Sequence, residues 1–219
     1  MTGQAADALE SVRRELAPAE GSNRLVPLVT EGRLPRERIA WLAAEEYRIV
    51  QSDRRSFLQL AARFPESPSG DFFIGLAQSE NLALATLVHL AAALGWSVPD
   101  IEAYEPRAGC QAYAHYVAWM ALNGARSEVV VALVANFAAW GGYCRAIAGG
   151  LRRHYGLADE AVGFFDLFAT PVPEFEEQSL AVVQANLGAG GPSVSARRMA
   201  RAVQAYELSF WNTLAEGVE

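Results

Sequence analysis

Histidine, cysteine and surplus positive charge are scarce in this sequence, and each shortage removes a class of chemistry. Only three histidines, His89, His115 and His154, occur in 219 residues. A di-iron site in a helical bundle needs inward-facing glutamates and Glu-x-x-His pairs, and no such pair occurs. Glu80 and His89 are nine residues apart, half a turn out of phase on a helix, so they leave it on opposite sides. His115 has no acid three or four positions away. His154 stands in Arg152-Arg153-His154-Tyr155, a basic helix end that suits the helix dipole. Neither a metal nor another cofactor is expected. The two cysteines, Cys110 and Cys144, cannot build a disulfide framework, and a reducing, cytoplasmic setting is expected. Neither has a histidine at helical spacing, so each reads as a small buried side chain rather than a nucleophile.

With 18 basic against 25 acidic residues the net charge is −7, the wrong sign for a nucleic-acid footprint. Arg197, Arg198 and Arg201 form a short basic group that reads as a solvated helix face. The first twenty residues lack a basic stretch followed by an apolar one, so no secretory leader is expected. The most apolar segment, Val129 to Leu151, is broken by Asn136, Gly141, Gly142 and Arg145, and reads as a core helix rather than a membrane span. Strict two-residue alternation is missing throughout.

What is present is helical periodicity. Apolar residues recur at helical spacing over Ala6–Leu16, and a short segment covers Asn23–Thr30. A long helix opens at Pro35 and stops near Phe64, and another covers Asp71–Leu94. Val98–Arg107 reads as a connector. Helices then follow over Cys110–Leu122, from a Ser127 cap to Gly156, over Asp159–Ala169, over Glu174–Leu187, and over Ala196–Leu214 behind Ser193 or Ser195. Gly188-Ala189-Gly190-Gly191 follows no strand and carries no Gly-Lys-Ser, so it reads as a helix stop and not a phosphate loop. The expectation is one all-α domain over residues 1–219.

The candidate chemistry lies in acids set among apolar residues. Glu207 sits within Tyr206-Glu207-Leu208-Ser209-Phe210-Trp211 on the terminal helix. Glu46 and Asp53, seven residues apart, share a face with Ile49, Val50 and Phe57, with Arg48, Arg54 and Arg55 as alternative ion-pair partners. Glu80 interrupts an apolar run on the next helix, and Asn136 interrupts another in Val134-Ala135-Asn136-Phe137-Ala138. A carboxylate or amide in such surroundings needs a partner, from the protein or from a ligand. Trp140, Tyr113, Tyr116, Phe164, Phe165 and Phe168 supply aromatic surface for a pocket.

Several strings, in order, resemble the TenA/THI-4 family, whose members share the haem-oxygenase-like all-α fold. They are Glu80-Asn81-Leu82 running to His89 and Leu94-Gly95; Tyr113-Ala114-His115-Tyr116-Val117 with Asn123-Gly124; Pro173-Glu174-Phe175-Glu176; and Tyr206 to Asn212, similar to the family's Glu-x-x-Phe-Trp-Asp. The resemblance spans about Pro35 to Leu214. It implies a buried small-molecule pocket and thiaminase-like hydrolysis of thiamin or an aminopyrimidine. It carries the family's C-terminal glutamate onto Glu207 and its aspartate onto Glu46 or Asp53. Its nucleophilic cysteine falls on Asn136, and the tyrosine one turn on falls on Trp140. One pocket tyrosine survives only as phenylalanine, among Phe164, Phe165 and Phe168, while Tyr113 or Tyr116 keeps another. The resemblance also implies a homodimer or homotetramer.

An amide cannot act as a thiolate does in covalent displacement. Three readings follow: a hydrolase using Glu207, Glu46 and Asp53 on a heteroaromatic held by Glu80, Tyr113, Tyr116, Asn136, Trp140, Phe164, Phe168 and Tyr206; a ligand-binding or regulatory protein that has lost the nucleophile; or a metal-dependent oxidase on the same fold. The partner expected in the first two is a small molecule, with neither nucleic acid nor membrane.

Overall fold

The computed structural model describes residues 2–188 and 191–218, so 189 and 190 of the expected turn lie outside the described residues. Among the described residues there are ten helices and no strand: α1 (Thr2–Leu16), α2 (Leu25–Thr30), α3 (Arg36–Arg63), α4 (Ser69–Ala93), α5 (Val98–Ala103), α6 (Ala108–Asn123), α7 (Arg126–Tyr155), α8 (Asp159–Ala169), α9 (Pro173–Asn186) and α10 (Val194–Leu214). The chain is all-α, as its periodicity implies.

The helix ends follow local chemistry. Pro35, extended at φ −58° and ψ 139°, stands immediately before α3. The expected connector after residue 97 contains α5, started by a reciprocal cap: the Ser97 hydroxyl accepts from the Asp100 N–H, and the Asp100 carboxylate accepts from the Ser97 N–H. Gly156 ends α7 at φ 64°, a left-handed conformation that costs a glycine nothing. Ser193 caps α10 by accepting the Ala196 N–H at 3.0 Å. Ser127, the expected cap of α7, lies inside that helix instead. Ala125 is the capping residue, and the Glu128 carboxylate accepts its N–H at 3.2 Å.

Helices α3 and α4 fold back on each other as the most extensive helix pair, and α6, α7 and α8 complete the surround. The helix α7 runs through the centre, with Val129 to Asn136 buried without a break. That explains its apolar composition: α1, α2, α8, α9 and α10 all pack against this helix. The core divides in two. One part gathers around Leu42, Leu87, Phe164 and Trp211, the other around Leu60, Phe73, Val130 and Val203. Tyr113 packs against both, and the buried acids lie around it.

Candidate functional site

The terminal helix α10 is amphipathic, with Val203, Glu207, Phe210, Trp211 and Leu214 on its buried side. Burial of its apolar residues forces Glu207 inward too, leaving that residue 3% exposed. Each carboxylate oxygen then takes one neutral donor. The Asn136 amide donates to Oε2 at 2.6 Å, and the Trp211 indole N–H donates to Oε1 at 3.3 Å. Asn136 also donates to Gln204 Oε1 at 3.4 Å. Desolvation penalises the charged form more than these two bonds favour it, and Glu207 is pushed up to about 7.

Glu207 is not the only acid there. Glu46 and Asp53 project from one face of α3 and are 3% and 5% exposed. Burial raises Glu46 well above its ordinary value, with Asp53, Glu80, Glu207 and Glu45 adding in that order. Burial pushes Asp53 up to about 8. Glu80, on α4, is raised first by burial and then by Asp53. The Tyr113 phenol feels burial first and then Asp53, Glu207, Glu80 and Glu46, so it stands among all four acids. Glu80 and Tyr113 are half-buried, and desolvation is the largest influence on each.

No cation balances these acids among the described residues. The alternative in which Glu46 and Asp53 pair with nearby arginines is not realised. The Arg48 guanidinium donates instead to the carbonyls of Glu102 and Tyr104, both at 2.9 Å, while Arg54 and Arg55 face solvent. The chain contains no lysine at all. His89 lies 3.6 Å from Glu160, away from Glu80 as its phase demands. Among the described residues no three His, Cys, Asp or Glu side chains converge as a metal-binding group.

An aromatic wall adjoins Glu207. Trp211 stacks on Trp140 at 5.2 Å between ring centroids, and Trp140 meets Phe168 and Phe164 edge-on at 5.7 and 6.5 Å. The structure thus gathers Glu207, Glu46, Asp53, Glu80, Tyr113, Asn136, Trp140, Phe164 and Phe168. It does not bring Tyr116 and Tyr206 to them. Their rings lie 5.1 Å apart on the outer face, Tyr116 stacks on the exposed Trp119, and Tyr206 is itself 37% exposed. The reason is helical phase: Tyr206 is about 100° around α10 from Glu207. A surface groove of about 530 Å³ is lined by residues including Arg36, His89, Tyr155 and Glu160 and shares none with the acid group.

Glu45 is the buried acid that sequence reasoning missed. It is fully buried and accepts from the Tyr104 hydroxyl at 2.9 Å, the Arg107 N–H at 2.8 Å and Gln111 Nε2 at 2.5 Å. The Arg107 guanidinium lies 3.8 Å over the Trp41 ring and donates to the Tyr104 hydroxyl. This satisfied acid ties α3 to the α5–α6 connection. Cys144 was also passed over as a neighbour of the site. Its thiol is pushed up by burial first and then by Glu46 and Glu207, which suppresses the thiolate. Its position two turns beyond Asn136 on α7 was the available signal.

Comparison with known proteins agrees with this architecture. No curated protein matches the chain. A TenA homologue from P. horikoshii OT3 is similar at 18% identity, covering 97% of each chain with a TM-score of 0.71. A TenA family transcription regulator from Silicibacter sp. TM1040 matches at 18% identity over 95% of this chain and 96% of its own, TM-score 0.76. A domain of unknown function with a heme oxygenase-like fold from Shewanella denitrificans OS217 matches at 11% identity over 97% and 89%, TM-score 0.74. These likenesses establish the haem-oxygenase-like fold. The TENA/THI-4/PQQC pattern matches residues 24–217, nearly the whole chain, and the protein therefore belongs to the TENA/THI-4/PQQC family.

Proposed function

We propose that this TenA-family protein hydrolyses an amino-substituted heteroaromatic small molecule by acid–base chemistry, without a covalent enzyme intermediate. The observation that carries this reading is Glu207, buried, oriented by Asn136 and Trp211, and pushed up to about 7. A carboxyl group that titrates near neutral pH can both take and return a proton there. As the carbon–nitrogen bond breaks and its electron pair leaves with the nitrogen, the water oxygen bonds to the same carbon and Glu207 takes the water's proton, which it then returns to a departing amine nitrogen. Glu46 receives the amino group of the ring, and Trp140 with Phe164 and Phe168 packs its faces. Asn136 orients the carboxylate where the family resemblance places a cysteine.

The test is turnover of thiamin and of aminopyrimidines by the purified protein and by Glu207→Gln, a variant that preserves shape and removes the titrating group. The wild type should release the amine, and the variant should lose about a hundredfold or more of the rate. Undiminished turnover by Glu207→Gln overturns the assignment. Binding without turnover by the wild type favours the ligand-binding reading, which the amide at position 136 also supports.

A further inference from the structure

Helix α6 contains no aspartate, glutamate, lysine or arginine in its sixteen residues, whereas every longer helix of the chain carries charge. On one side it meets the core through Cys110, Ala114, Val117 and Met120, all buried. On the other it leaves Trp119 50% and Leu122 64% exposed. A helix that is apolar around its whole circumference is suited to being covered on both sides.

The neighbouring helix extends this uncharged face. α10 runs antiparallel to α6. At one end the Ser209 hydroxyl donates to the Gly109 carbonyl at 3.1 Å, in the middle the Tyr206 and Tyr116 rings stand 5.1 Å apart, and at the other end Met199 lies against Gly124. From Ala202 to Thr213 the only charged residue of α10 is Glu207, which points into the core. Arg201 turns away, toward Glu15 of α1 at 3.9 Å. Glu128 borders the face, and its carboxylate is engaged by the Ala125 N–H at 3.2 Å and by the Ser195 hydroxyl. Within the face, Tyr116 and Trp119 stack 8° from parallel with centroids at 5.5 Å. Rings already held against each other lose little further freedom on docking.

The size of the face and the charge of the molecule together select the occupant. Sixteen residues make α6 about 24 Å long, and two adjacent helices span about 20 Å, a footprint of roughly 500 Å². That equals the largest apolar patch of a typical monomer, a size that is often functional. An uncharged face has nothing to grip nucleic acid or another strongly charged partner. Two copies of this chain, each with a net charge of −7, repel one another, and they approach most closely where no like charges meet. We propose that the outer face of α6 and α10 docks a second copy of this chain about a two-fold axis, α6 against α6. A symmetric pair covers the footprint twice, about 1,000 Å², the lower bound for a specific contact, so the association is concentration-dependent. The inner sides of the same two helices carry Tyr113, Glu207 and Trp211, so the second copy braces a wall of the candidate site from behind. The contact is independent of what that site binds.

Sedimentation equilibrium of the full chain from about 1 to 200 μM tests the proposal. The mass should rise from one chain, 23.7 kDa, toward two. Trp119→Arg and Leu122→Arg, checked for folding by circular dichroism, should each weaken association about thirtyfold or more, through loss of an apolar anchor and the meeting of like charges across the axis. Leu82→Arg, on the outside of α4 at a residue 61% exposed, should leave association unchanged. A four-chain assembly that either α6 variant reduces to two chains supports the contact equally. A single-chain mass for the wild type at every concentration overturns it, as does association retained by both α6 variants or weakened equally by Leu82→Arg. Wild-type binding to zwitterionic lipid vesicles without self-association, lost in Trp119→Arg, assigns the face to a membrane and also overturns it.

Discussion

Asp53→Asn should make the protein more stable, and increasingly so as pH rises. In the native state Asp53 is buried, lacks a partner for Oδ1 and is pushed from its ordinary 3.8 up to about 8. Between those values the folded chain keeps a proton that the unfolded chain has released. The unfolded state then binds fewer protons, so unfolding free energy falls as pH rises, and the loss is complete only above the folded value. The gap from 3.8 to about 8 corresponds to something on the order of 5 kcal/mol. Asparagine matches the shape and neutrality of the protonated acid, so it removes this loss without opening a cavity. Relief of Glu46 and Glu80, both raised by Asp53, acts in the same direction. Urea unfolding of both proteins from about pH 5 to 9 should give a variant advantage of about 1.5 kcal/mol at the acid end that grows by about 2 kcal/mol or more toward the alkaline end. Parallel stability curves across that range would refute the claim that Asp53 is buried with its proton.

Two further outcomes follow from the hydrogen bonds. Glu45→Ala strips acceptors from the Tyr104 hydroxyl, the Arg107 N–H and the Gln111 amide at once, and should cost about 3 kcal/mol or more in denaturant unfolding; a loss below about 1 kcal/mol would show that water replaces them. Trp211→Phe keeps a ring against Trp140 but removes the N–H that favours ionised Glu207, so the basic form should appear at higher pH and the pH–rate profile should move upward; an unmoved profile contradicts that role.

Much of this was legible in the sequence, and the failures have identifiable causes. Helical periodicity and the glycine and proline stops located the main helices within a few residues, because those signals are local. Glu207, Glu46, Asp53, Glu80 and Asn136 stood out because each interrupts an apolar stripe, and the fold buries or half-buries all five. Glu45 escaped because it lies 100° around α3 from Glu46, on a side that reads as solvent until α5 and α6 cover it. Tyr116 and Tyr206 read as pocket aromatics because aromatic character says nothing of helical phase, and their rings instead meet at a 45° tilt on the outer face. The satisfied acid at Glu45 and the unsatisfied one at Asp53 cannot be told apart from sequence, since the difference lies in Tyr104 and Arg107 arriving from the α5–α6 connection and Gln111 from α6.

The account turns on the proton held by Glu207. Carbon-13 NMR titration of glutamate-labelled protein, with the resonance assigned by its disappearance in Glu207→Gln, reads that proton directly. A midpoint near 7 is the predicted result, and a midpoint in the ordinary carboxylate range, about 4.5 or below, would contradict it.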